Sequence, residues 1–155
     1  MLNYILVFLI AMVPLIELRG AVPFGVGMQL DLFWVYVLAI LGNMLPVPFI
    51  YFFARKILVW GSDKKFIGKF FKFCLEKGEK GGKKLQAKAG RGLFFALLLF
   101  VGIPLPGTGA WTGSLIASLL EVDIKKSSIA IFCGLIMATV IMYVVSYGIV
   151  GNLIH

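Results

Sequence analysis

The stretch Gly102-Ile103-Pro104-Leu105-Pro106-Gly107-Thr108-Gly109-Ala110-Trp111-Thr112-Gly113 decides how the chain is read. An uncharged apolar arm, Gly92 to Ile103, precedes its first proline, and an equally apolar arm runs from Ala110 to Leu120. A helix needs ~20 residues to cross a bilayer, and neither arm is that long. Together they predict a helix that enters the membrane, breaks and returns. Broken backbone at membrane depth persists only where protein or a water-filled cavity satisfies its N–H and C=O groups. A break of this kind points to a permeation or substrate site.

The rest of the composition agrees with a membrane setting. The chain has 155 residues, 61% of them hydrophobic and 14% charged, with a mean hydropathy of +1.00, far outside the soluble range. One integral membrane domain over 1–155 is expected, divided into a first half (1–60), a basic segment (61–91) and a second half (92–155). So few helices cannot enclose a wide pathway, and a homodimer is expected. The first sixteen residues lack a basic n-region and a small-x-small cleavage site, and Glu17 and Arg19 follow instead, so a membrane arm is expected rather than a cleaved leader. Cys74 and Cys133 lack CxxC spacing or a histidine cluster, and His155 is the last residue, so neither a disulfide framework nor a metal site is expected.

Charge is strongly asymmetric. Arg55 to Arg91 holds twelve of the fifteen Lys and Arg against Asp63, Glu76 and Glu79, a net +9, while the remainder carries −1. Because this block lies between hydrophobic segments, the positive-inside rule explains it better than nucleic-acid binding: the loop is cytoplasmic and both termini lie outside. Within it, Phe66, Ile67, Phe70, Phe71, Phe73 and Cys74 alternate at helical spacing with Lys64, Lys65, Lys69 and Lys72. That pattern predicts an amphipathic helix lying on anionic lipid, broken by Gly78, Gly81 and Gly82.

The first half is laid out like the second. Leu2 to Ile16 is a short apolar arm, Glu17 to Pro23 reads as the break, and Phe24 to Leu30 as the returning arm. Leu32 to about Phe53 is long enough to span, kinked by Pro46 and Pro48, with Arg55, Lys56 and Trp60 as anchors; Ser127 to Val150 makes the second span. Gly20-Ala21 is matched with Gly109-Ala110, and Gly42 with Gly134. A hairpin that returns to its own side, followed by one crossing, starts the second half on the opposite face. The expected fold is therefore all-α: an inverted repeat of re-entrant hairpin plus transmembrane helix.

Glu17 and Arg19 are ionisable groups deep in an apolar half, which makes them site candidates. Glu17 suits a proton or sodium ion, and Arg19 suits a phosphate or carboxylate. The bland alternative is a pair that closes on itself and only fixes the fold. Pro104, Pro106, Gly107 and Gly109 would expose N–H groups and helix ends, Thr108 and Thr112 add neutral donors, and Trp111 adds an aromatic wall. Asn43 either bonds across a helix contact or joins the site, and Asp31, Glu121 and Asp123 read as interface caps. With no nucleophile elbow, metal spacing or Walker sequence, neither catalysis nor a cofactor is expected, and ATP cannot drive transport within this chain.

Glu17-Leu18-Arg19-Gly20-Ala21-Val22-Pro23 and Pro104-Leu105-Pro106-Gly107-Thr108-Gly109-Ala110-Trp111 resemble the two signatures of the small multidrug export membrane family, over nearly the whole chain. The plan of two opposed hairpins is also similar to the wider DedA (SNARE-associated) superfamily. That resemblance implies movement of polyprenyl phosphate or phospholipid, with an acid at the position of Glu17 and arginines in the second hairpin. None lies between Gly92 and Leu120. Three expectations follow. The first is a DedA-like carrier, ion-coupled or passive, of an amphipathic lipid-linked phosphate, with Glu17 for the ion and Arg19 for the head group. The second is a proton-coupled exporter of lipophilic cations, and the third a structural membrane protein that recruits a partner through its basic helix.

Overall fold

The structure, a computed structural model, describes residues 1–66, 68–70, 72–73, 76, 91–105 and 107–153. Ile67, Phe71, Cys74, Gly78, Glu79, Gly81, Gly82, Pro106 and His155 lie outside the described residues. The described elements are helices: α1 Leu2–Met12, α2 Glu17–Gly27, α3 Leu32–Met44, α4 Pro46–Ser62, α5 Arg91–Gly102, α6 Ala110–Leu119 and α7 Ile124–Leu153.

Two stretches are long and apolar enough to cross a membrane, Leu32–Ser62 and Ile124–Ile149. Asp31 starts the first by accepting from the N–H groups of Phe33 (3.0 Å) and Trp34 (3.4 Å), which have no partner within the helix. Leu45 keeps helical dihedrals and Pro46 takes the first position of α4, where a missing N–H costs least, so α3 runs straight into α4. The helix therefore extends nine residues beyond the expected end at Phe53 and takes Arg55, Lys56 and Trp60 into its last turns. The short helices α1, α2, α5 and α6 hold 11, 11, 12 and 10 residues. At 1.5 Å per residue that is roughly 15–18 Å each, about half the hydrocarbon core.

The second break falls where the prolines and glycines place it, but the first does not. It occupies Val13–Ile16, so Glu17 to Pro23 is helix and the returning arm begins at Glu17. The turn is made by Leu15 and Glu17, both in the left-handed region at φ 73° and 48°. Pro23 stands inside α2, where it forfeits one helical bond without ending the helix.

Contacts between the elements fix two ends and a middle. At one end the Tyr4 hydroxyl accepts the Asp31 N–H (3.1 Å), joining the start of α1 to the start of α3. At the other, Arg55 pairs with Glu121, the Tyr51 hydroxyl donates to the Val122 carbonyl, and Ser118 Oγ donates to the Tyr51 carbonyl (2.6 Å). These join the end of α6 to the middle of α4. The two breaks meet between the ends.

Local features recur 92 residues apart. Gln29 and Glu121 both take left-handed dihedrals after their helices (φ 54° and 56°). Leu30 N–H reaches Gly25 O (3.1 Å) and Val122 N–H reaches Ala117 O (3.0 Å), so α2 and α6 end in the same Schellman turn before an aspartate and a long helix. Buried positions match as Leu18 with Ala110, Ala21 with Gly113, Val22 with Ser114 and Gly25 with Ala117. The expected pairing of Gly20-Ala21 with Gly109-Ala110 is thereby corrected: Glu17 stands opposite Gly109. Gly42 and Gly134 stand at the same 92-residue spacing.

Those two glycines explain how tightly each half packs. A methyl on Gly42 would lie 2.5 Å from the Phe8 carbonyl oxygen, and one on Gly134 would lie 2.7 Å from that of Leu98. Close backbone approach through small residues is how helices associate where lipid removes the hydrophobic drive. Gly42→Ala and Gly134→Ala are each expected to lower stability by about 1–3 kcal/mol, since a helix backbone cannot step aside. Thermal unfolding in mild detergent reads this; an unshifted transition for either would contradict the packing described.

Candidate functional site

Glu17 opens α2 yet is only 4% exposed, because the break turns its side chain toward the second half. Its Oε1 accepts the Trp111 N–H at 3.1 Å. Trp111 is the second residue of α6, whose first N–H groups have no helical acceptor. Gly109, at the cap position, has no side chain to offer them. The carboxylate from the other half thus does the work of an N-cap and lies at the positive end of the α6 dipole. It fits because Gly109 is glycine: a methyl there would come within 2.0 Å of Glu17 Oε2. Gly109 also adopts φ 132°, ψ −171°, a region essentially closed to other residues.

Arg19, two residues further along, does not close on Glu17. It reaches across to Thr108, donating to the carbonyl and to Oγ1 (2.5 Å). The Thr108 hydroxyl also lies 2.9 Å from the carbonyl of Ile103 and 2.8 Å from that of Leu105, which folds the second break into a compact turn. A third tie runs from Trp111 Nε1 to the Met12 carbonyl (3.2 Å), one of the unpaired carbonyls at the end of α1. The two breaks are therefore stitched together by a carboxylate, a guanidinium and an indole.

Beside these ties lies a groove of about 590 Å³. One wall is the stripe Phe49, Ile50, Phe53, Ala54 and Ile57 of α4; the other is Trp111, Thr112 and Leu115 of α6, and Pro14, Leu15, Glu17, Gly107 and Thr108 close its head. Among its lining residues Glu17 is the one ionisable group, and Arg19 does not line it. Leu15, Phe49, Phe53 and Ile57 stay exposed along the rim, so the groove opens sideways on an apolar flank.

Of the residues expected at a site, Glu17, Gly107, Thr108, Trp111 and Thr112 line the groove. Arg19 and Gly109 hold its head in shape. Pro104 contributes to the turn without lining the groove, and Pro106 lies outside the described residues. Asn43 is fully buried in α3, with Nδ2 donating to the Ala39 carbonyl (3.0 Å), and is not brought to the groove. The α4 wall was missed by sequence reading, although Phe49, Phe53 and Ile57 recur at i, i+4, i+8 and mark one helix face.

No curated protein and no solved structure matches the chain. The family model described as "Putative small multi-drug export protein" matches residues 17–141, from the buried Glu17 through the second break into α7. With two stretches able to cross a membrane and a match over most of its length, the chain belongs to that family of membrane proteins.

Proposed function

We propose that this protein exports lipophilic organic cations, which it takes from the cytoplasmic leaflet into the groove between α4 and α6. The observation that carries this reading is the groove itself: apolar and aromatic walls with a single carboxylate, Glu17, at the head. Its volume is in the range that holds small molecules, about 300–1,000 Å³. Phe49, Phe53 and Trp111 offer ring faces to a cation, and Glu17 offers the counter-charge.

Orientation supports the direction. The +9 segment begins in the last turns of α4, so by the positive-inside rule the Arg55–Glu121 end faces the cytoplasm in this reading. The groove runs from the breaks along α4 toward that end. In this reading each pair of short helices is a re-entrant hairpin, and the halves form an inverted repeat; the matched Schellman turns, buried positions and glycine contacts support both. A proton or sodium ion would compete with the cargo for Glu17 and so couple its movement to an ion gradient. The process is transport, with no bond made or broken.

The lipid-phosphate reading fares less well, because the guanidinium it needs is engaged with Thr108 and stands outside the groove. A direct test is quenching of Trp111 in a Trp34→Phe, Trp60→Phe background. Tetraphenylphosphonium is expected to quench it saturably, whereas polyprenyl phosphate is expected to leave it unchanged. The opposite pair of results would sink the cation reading and restore the lipid one.

A further inference from the structure

We infer that the chain holds a second, opposite-facing groove between α2 and the C-terminal half of α7, closed in this structure, through which the cargo leaves. This rests on the exporter reading above and adds the discharge side to it. The 92-residue register maps the open groove onto named residues. Ile50, Phe53 and Ala54 of its α4 wall correspond to Met142, Val145 and Ser146 of α7. Trp111, Thr112 and Leu115 of its α6 wall correspond to Arg19, Gly20 and Pro23 of α2. The helices exchange partners in the same way: α6 packs on α4, and α2 packs on α7.

Ser146 of α7 occupies the position equivalent to Ala54 of the open groove. It is 4% exposed, and its hydroxyl has no hydrogen-bond partner. Two turns earlier on the same helix, Thr139 donates to the carbonyl four residues before it (2.7 Å). Helical hydroxyls usually settle in that way or reach a polar neighbour. Ser127 near the start of the same helix is buried without a partner as well, so what sets Ser146 apart is its equivalence to Ala54, which lines the open groove.

The two grooves differ at one decisive place. Where the loading groove has Trp111, the register gives Arg19, whose guanidinium in this structure is held by Thr108. An indole face attracts an organic cation, and a fixed guanidinium repels it. Binding is thus favoured on the cytoplasmic side and release on the other. The contrast sets the affinities of the two states; the coupling ion supplies the driving force. Opening the second groove requires α2 to part from α7 while α6 closes on α4, the exchange of conformations that an inverted repeat permits.

Site-directed accessibility tests this. In a Cys74→Ser, Cys133→Ser background, Ala54→Cys and Ser146→Cys are exposed to a membrane-impermeant maleimide from either face of sealed vesicles. Met142→Cys serves as a second probe in case Ser146→Cys perturbs the seam. Ala54→Cys is expected to label from the cytoplasmic face, and Ser146→Cys or Met142→Cys from the outer face. Conditions that increase one labelling rate should decrease the other. If Ala54→Cys labels from the cytoplasm while neither α7 probe ever labels from outside, the second groove is refuted and the exporter reading stands. If tetraphenylphosphonium fails to quench Trp111 saturably, the exporter reading falls and takes the second groove with it. With Arg19→Gln added, tetraphenylphosphonium should protect Met142→Cys from the outer face better than before; unchanged protection would remove Arg19 from the discharge role.

Discussion

Gly109→Ala is expected to be the most damaging single-methyl change in the chain, lowering stability and abolishing transport together. Two costs coincide at this residue. The backbone at φ 132° is closed to a residue with a side chain, a strain of about 1–3 kcal/mol. The new methyl would stand 2.0 Å from Glu17 Oε2, adding about 1–3 kcal/mol of overpacking and pushing the carboxylate off Trp111. Gly107→Ala provides the milder comparison. Gly107 also has a positive φ, 82°, but nothing lies within 4 Å of where its methyl would go. Unfolding curves of the two variants should therefore differ by the Glu17 contact together with the greater backbone strain at Gly109. Equal curves would mean that the carboxylate does not press on Gly109.

Glu17→Gln should separate fold from function. A glutamine oxygen can still accept the Trp111 N–H, so the cap on α6 and the thermal transition should persist. The counter-charge is gone, however. Removing one partner of a desolvated charge pair costs about 2–5 kcal/mol, which at 1.4 kcal/mol per decade is a roughly 30-fold to several-thousand-fold loss of cation affinity. Glu17→Ala should show the same loss and also melt lower, by ~1 kcal/mol for the lost cap. Binding titrations and efflux from proteoliposomes read the first effect, and unfolding in detergent reads the second. A Glu17→Gln protein that transports at the full rate would end the case for Glu17 as the cargo's partner.

How legible the chain is depends on which chemistry makes each bend. The second break announces itself because Pro104, Gly107 and Gly109 are residues that backbone geometry selects for turns. The arms around it start and end within about a residue of expectation. The first break is made by Leu15 and Glu17 in left-handed conformations that neither residue advertises, while Pro23, the conspicuous breaker, sits inside a helix. Reading Glu17 to Pro23 as the break placed it four residues late, and matching Gly20 with Gly109 departs by three from the 92-residue spacing.

The candidate site divides in the same way. Polar and conformationally special residues, Glu17, Thr108, Gly109 and Trp111, could be singled out from sequence because their types carry chemistry. That Glu17 would cap a helix 94 residues away could not, since the bond exists only when the breaks are face to face. The α4 wall went unseen for a different reason. In a membrane protein, apolar side chains facing lipid and apolar side chains facing cargo look alike, and only the neighbouring helix distinguishes them.

The sideways opening of the groove also changes what concentration means for this protein. On the proposed route, a molecule that arrives between Phe49, Phe53 and Ile57 from the acyl chains would be sampled by its mole fraction in the leaflet, not by its molarity in the surrounding water. Compounds of equal intrinsic fit would then rank by their partition coefficients. An apparent half-saturation quoted per litre would rise as empty vesicles are added, because the same quantity of compound is spread through more lipid. Breadth of substrate range would owe as much to the membrane, which gathers flat and greasy cations without regard to shape, as to the walls of the groove.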